Sequence, residues 1–247
     1  MSLNRKELGS LIGASVVMGF IISFTQWGYG DTFSLTVGLQ NWFRAAILAV
    51  IAFSVYLIAS KNIAKLHGAK STINIWGIDR YWLTKKSKIS RLKLGLKTIK
   101  TGIFLPILFA LFSNGLIKLG TIAHINIEEI NSSRTGKRYP HLTDFEIARI
   151  HLAGPFACLL LVLVLTPLNA FSTLIEISRL IAIYSFLPLS KLDGTKILFG
   201  SLPLYLFGLI FTIASLLLIN ILPTIATIFL AILTAIIILI IYLYRAN

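Results

Sequence analysis

Asp193 is the residue most out of keeping with its surroundings. It stands in Pro188-Leu189-Ser190-Lys191-Leu192-Asp193-Gly194, after a strongly apolar run. An ionisable group carried to membrane depth costs free energy and marks a functional position. The proline ends a helix and the glycine permits close backbone approach, so the carboxylate is expected to point back into a helix bundle. So placed, it can ligate a metal or serve in a pocket; the plainer alternatives are a helix-terminal cap or a partner for Lys191 or Lys196. A second break, His151-Leu152-Ala153-Gly154-Pro155, opens another apolar run. Glu176 and Arg179, three residues apart, are spaced for an ion pair within a helix, which would lessen the cost of burying them. The four histidines, His67, His124, His141 and His151, are 57, 17 and 10 residues apart and none precedes a glutamate. There is therefore no His-Glu-x-x-His, the pattern that sets two imidazoles on one helix face around zinc with a glutamate to activate water. His151 has no second histidine three or four residues away and reads as an interfacial packing residue; the other three read as loop residues. The single cysteine, Cys158, sits in an apolar run and reads as a packed core thiol.

The elements that must position these residues follow from composition. In 247 residues, 56% are hydrophobic and 13% charged, and mean hydropathy is +0.85, which excludes a soluble enzyme. The chain reads as an all-α polytopic membrane protein of about six transmembrane helices, over residues 8–27, 42–60, 150–165, 170–187, 198–221 and 224–244. Twenty-three Lys and Arg against nine Asp and Glu give +14. Eleven of those cations and one acid, Asp79, lie between Lys61 and Lys100, which places that segment in the cytosol against the anionic inner leaflet and the N-terminus on the same side. Nucleic acid is not an expected partner, because the basic residues lie between apolar spans. The alternating stretch Ser71–Trp76 hints at a strand at the membrane surface, with Tyr81 and Trp82 at the interface. Residues 99–120 are interrupted by Pro106 and by Ser113-Asn114-Gly115, and are expected to form a re-entrant hairpin. Thr143 and Glu146 are spaced for a capping box. Gly9 and Gly13 make a small-xxx-small pair, a packing cue.

With Ala153-Gly154-Pro155 followed by Pro188…Leu192-Asp193-Gly194, the chain resembles the site-2 protease family of intramembrane zinc metalloproteases, over residues 42 to about 200. In that family Ala-Gly-Pro opens the second core helix, and Asn-x-x-Pro-x-x-x-Leu-Asp-Gly supplies an aspartate ligand to zinc from the third. Here Ser185 stands at the asparagine position. Phe104-Leu105-Pro106 and the lead-in Leu142–Ala148 are similar as well. Lys61, Ala64 and Gly68 resemble the stretch that trails the family's metal motif, which puts Tyr56 and Ser60 at its histidine positions and Leu57 at its glutamate. A phenol and a hydroxyl are poor zinc ligands and leucine takes no proton, so the resemblance implies a degenerate member with Asp193 as a vestigial ligand and no metal expected. Tyr56 and Ser60 are then expected close enough to hydrogen-bond Asp193 across the bundle.

The organisation expected is an N-terminal helix and outer loop over 1–41, a site-2-protease-like core over 42–200 that contains the basic segment 61–100, and two C-terminal helices over 201–247. The function implied is that of a pseudoprotease, a multi-pass cell-membrane protein that binds or sequesters a membrane-protein partner through one of its transmembrane helices. One alternative is an active zinc protease that draws ligands from Asp193 and loop histidines; another is a small-solute or ion carrier, kept open by Glu176 and Arg179.

Overall fold

The structure, a computed structural model, describes residues 4–28, 33–79, 98–120, 122–130, 141–168 and 171–246. Trp82, Tyr81 and most of the basic segment lie outside the described residues.

The first helix, α1 (Arg5–Ser23), continues as a 3-10 turn over Phe24–Gln26 and is followed by α2 (Leu35–Leu66). At 32 residues α2 is the longest element, and it starts about two turns before the expected residue 42. Leu35, Val37 and Leu39 extend the apolar pattern, and Gly38, the one weak helix former there, packs under the Trp27 indole so closely that a Cβ has no room. The two helices run antiparallel. At one end Lys61 Nζ meets Glu7 Oε1 at 2.9 Å, and at the other Trp27 covers Gly38. Their closest approach is at Gly19, where a Cβ would stand 2.7 Å from the Ala46 nitrogen. The small-residue contact between these two helices is therefore at Gly19; a Cβ on Gly9 would meet nothing within 4 Å, and one on Gly13 would meet the Ile75 side chain at 3.2 Å. Lys61, expected at the lipid interface, is instead buried. Glu7 draws it inward, because a charge is held in the interior only with a counter-charge.

From the end of α2 the chain enters β1 (Ala69–Ile75), touches a short pair of strands β2 (Ile78–Asp79) and β3 (Thr98–Ile99), climbs α3 (Thr101–Phe112) and returns in β4 (Ala123–Glu129). β1 and β4 pair antiparallel, with Ile73 opposite Ile125 and Asn74 opposite His124. The strand expected at Ser71–Trp76 is β1; β4, which holds His124, read as a loop residue, was not expected. The excursion between them closes on itself. Gly102 donates to the Trp76 carbonyl at 2.9 Å and lies so near the Ile122 carbonyl that no Cβ fits. At the far end Asn114 and Gly115 turn the chain with φ of 54° and 81°, and Gly115 packs on Phe24 and Thr25. Gly102 and Ile122 thus lie side by side at the two ends of this excursion.

The helix α4 (Asp144–Leu165) opens on a capping box: Thr143 N donates to Glu146 Oε2 at 2.9 Å and Glu146 N to Thr143 Oγ1 at 3.3 Å. It runs unbroken through Pro155, so the break expected at His151–Pro155 is absent. Proline removes one amide and frees the carbonyl of His151 without severing a helix packed on both sides. Next come α5 (Ser172–Tyr184) and α6 (Asp193–Gly200), joined by a non-helical linker. Thirteen residues of α5 rise about 20 Å, short of the ~30 Å hydrocarbon core, so residues 170–187 are not one continuous spanning helix. The chain ends in α7 (Leu202–Leu218) and α8 (Thr224–Ala246).

Among the described residues four helices, α1 with its 3-10 extension, α2, α4 and α8, are long and apolar enough to cross a membrane, where six spans were expected. The protein is thus a largely helical, membrane-like chain with a small two-stranded sheet. Its main core gathers Met18, Ile21, Ile22, Phe53, Leu159 and Ile177 from α1, α2, α4 and α5. Cys158 is buried in it, facing the Ala52 carbonyl.

Candidate functional site

The site forms where α2, α4, β4 and the start of α6 meet. Each element contributes for a local reason. In α2 the residues Ala45, Ala49, Ala52, Tyr56 and Ser60 recur at helical spacing and are all buried. The small ones let α1 and α4 close in, which carries Tyr56 into the middle of the bundle. In α4, Gly154 faces Tyr56: a Cβ there would lie 2.5 Å from two ring carbons and 3.0 Å from Ser60 Oγ. Ala153-Gly154-Pro155 is therefore the stretch on which the Tyr56 ring lies. Gly194 plays the same part at the next contact, since a Cβ on it would sit 2.5 Å from the Phe186 carbonyl. That close approach seats α6 on the linker and turns the Asp193 side chain inward, where it is 1% exposed. The linker is held by two side chains: Trp76 Nε1 donates to the Ser190 carbonyl at 2.7 Å and the Tyr205 hydroxyl to the Phe186 carbonyl at 2.9 Å. Leu192 is buried as the residue preceding α6, and Ser185 caps the end of α5, its hydroxyl donating back to Ile181 O at 2.7 Å.

Both Asp193 oxygens are occupied. The Tyr56 hydroxyl donates to Oδ2. Oδ1 accepts from the Ile125 backbone N–H at 3.1 Å and lies 2.8 Å from His151 Nδ1. Alternate amides of an antiparallel strand point to opposite sides; Ile125 turns its own away from β1, and Asp193 accepts it at the strand's outer edge. A carboxylate here holds His151 with its proton on Nδ1, which fixes the ring. Ser60 is buried one turn beyond Tyr56, and its hydroxyl has no hydrogen-bond partner among the described residues. Leu57 is buried in the apolar core and adds no polar group.

No family model, curated protein or solved structure matches this chain.

Of the residues singled out in the sequence, Tyr56, Gly154, Asp193 and Gly194 come together, with Ser60 at the edge. Asp193 is tied to Tyr56, His151 and Ile125 and not to Lys191 or Lys196. His151, read as interfacial packing, is 3% exposed and belongs to the site. His124, read as a loop residue, lies in β4 beside Ile125 and is buried. His67 ends α2 and meets Glu146 at 3.2 Å, while His141 meets Glu129 at 3.0 Å. The expected Glu176–Arg179 pair does not form: Glu176 takes Lys118 at 2.6 Å and Arg179 donates to Asn220 at 2.9 Å. Both partners come from elsewhere in the fold, which helical spacing alone cannot anticipate. As to metals, no group of three His, Cys, Asp or Glu side chains able to share an ion occurs among the described residues.

Proposed function

We propose that the protein is a pseudoprotease: a multi-pass membrane protein, N-terminus in the cytosol, in which a site-2-protease-like core has lost hydrolytic chemistry and serves to bind or sequester a membrane-protein partner. The observation that carries this reading is the clasp of Tyr56 and His151 on Asp193. A catalytic zinc takes three protein ligands and a water. Here the aspartate oxygens are taken by a phenol, an imidazole and a backbone amide, and position 57 supplies no base. The clasp ties α2, β4, α4 and α6 to one another. On this reading a partner's transmembrane helix packs between helices of the bundle, and the basic segment 61–100 sets the depth of the protein against anionic lipid.

The test is to rebuild the missing motif in the full chain. In detergent solution the parent protein is expected to carry no stoichiometric zinc and to leave a helical reporter substrate uncut. The variant Tyr56→His/Leu57→Glu/Ser60→His is expected to gain about one zinc per chain, or one cobalt with a tetrahedral absorption band. Stoichiometric zinc in the parent, lost on Asp193→Ala and accompanied by cleavage, overturns the reading. Photocrosslinking in native membranes tests the partner, and recovery of lipid alone refutes it.

One observation favours the active-protease alternative: the imidazole of His151 already faces Asp193, and His124 is buried one residue from Ile125. In that case zinc would displace the Tyr56 hydroxyl, and metal content would fall on His151→Ala as it does on Asp193→Ala.

A further inference from the structure

Beside the clasp, on the far side of Ile125, lies a cavity of about 900 Å³ between the start of α1, the β1–β4 sheet, Lys100 ahead of α3, and the residues on either side of Asp193. We propose that it is a binding site for a phosphate-bearing anion, supplied either by the headgroup of an acidic phospholipid or by a soluble organic phosphate.

Charge is the first argument. Lys6, Lys100 and the pair Lys191 and Lys196 reach the cavity from three parts of the chain, and among the described residues no Asp or Glu lines it. Lys6, Lys100 and Lys196 form no ion pair with a described residue. Acids are scarce in this sequence, and two that adjoin lining residues in the chain are committed: Glu7 to Lys61 and Asp193 to His151 and Tyr56. Ammonium groups gathered round one space repel one another unless an anion is shared between them. Lysine is a point-charge donor suited to phosphate oxygens, and donors from several directions favour a group with several acceptors over a single carboxylate.

The second argument is an orphaned donor or acceptor. His124 lines the same cavity and is 6% exposed; its side chain hydrogen-bonds Asn126, but its Nδ1 is buried with no hydrogen-bond partner among the described residues. Buried polar atoms are nearly always satisfied, and an anion in the cavity would satisfy this one. Burial pushes the imidazole down to about 4; Asn126 opposes the shift, and Lys191 and Lys196 add to it. An anion lying among those lysines reverses their effect and brings His124 back toward its ordinary value. Size is the third argument, because the volume falls within the range of small-molecule sites and exceeds what bare phosphate fills.

The experiment uses the full chain in neutral detergent, with native mass spectrometry and titrations of three probes: dioleoyl phosphatidic acid, dioleoyl phosphatidylcholine and inorganic pyrophosphate. One phosphatidic acid is expected to be retained in preference to phosphatidylcholine if the phosphate belongs to a lipid. Saturable binding of pyrophosphate that displaces phosphatidic acid identifies a soluble source of the same chemistry. Lys100→Gln/Lys196→Gln is expected to weaken the bound probe by roughly tenfold per lysine, the worth of one charge-assisted contact. Gly9→Leu keeps every lysine but projects a side chain into the open space beside Gly9, in a helix where leucine is the better former, and it is expected to weaken binding as well. With probe bound, the His124 titration followed by NMR moves upward. Equal retention of phosphatidylcholine, or a loss of binding in Lys65→Gln/Lys70→Gln as large as in the cavity variants, overturns the proposal in favour of diffuse surface charge.

Discussion

Tyr56→Phe removes one oxygen atom from the clasp and nothing else. Tyr56 and Asp193 are each 1% exposed, so water cannot replace the lost donor, and Asp193 Oδ2 keeps no partner. A hydrogen bond to a charged group contributes about 1.5–3 kcal/mol, and removing one side exposes that full amount as the cost of a buried, unsatisfied acceptor. The void left by a hydroxyl is small, because the ring still lies on Gly154, and it adds less than about 1 kcal/mol. The expected loss is therefore about 2–3 kcal/mol, or roughly 30- to 150-fold in the folded fraction. For a chain of this length that is a midpoint drop of roughly 4–12 °C. The assay is thermal unfolding of the detergent-solubilised full chain, with Tyr244→Phe as the control at an exposed site. A cycle with Asp193→Asn isolates the pair, and a coupling of about 1–3 kcal/mol is expected. If Tyr56→Phe lies within about 0.5 kcal/mol of the parent, the scatter of neutral surface changes, or if the two changes simply add, the clasp is not what holds these elements together.

Three further outcomes follow from the same structure. Gly154→Ala forces a methyl group into the Tyr56 ring and toward Ser60, and should cost about 1–3 kcal/mol in the same unfolding assay. Glu7→Gln leaves Lys61 buried without its counter-charge and should destabilise by about 3–5 kcal/mol, whereas Glu7→Leu/Lys61→Met should recover most of that loss; SDS titration of both variants decides it. In unfolded chain His124 titrates near 6.5 and in the fold near 4, so between those values the unfolded state binds more protons. Stability should thus fall as pH drops from about 6.5 and level off below about 4, by a total on the order of 3 kcal/mol, and His124→Gln should flatten that part of the profile.

The sequence made the helices legible because their apolar runs are long and their punctuation is strong: Thr143 with Glu146, Pro167 after α4, Pro223 before α8. That Tyr56 faces Asp193 is an expectation from the resemblance of Lys61, Ala64 and Gly68 to the stretch trailing the site-2 protease metal motif, and the two side chains do meet. The sequence did not show His151 in the site. A histidine recruited by a single acid 42 residues away leaves no local spacing to read. β4 was missed for a different reason. Ile125 and Ile127 do alternate with Asn126 and Glu128, but the strand exists only because β1 offers it an edge, and the acids Glu128 and Glu129 at its end look like loop. The separate fates of Glu176 and Arg179 show the same limit, as each found a partner in another segment rather than one turn away.

The contacts that converge on Asp193 are 137, 68 and 42 residues away along the chain. During synthesis the phenol, the strand amide and the imidazole must all wait, in apolar surroundings, for a carboxylate that is translated after every one of them. Until it emerges, the preceding helices have no fastening at that point and are open to rearrangement or to a surrogate acceptor. The clasp is in that sense a timing device: it locks the order of assembly to the emergence of one late residue, and a ribosome stalled before residue 193 leaves the bundle unlatched.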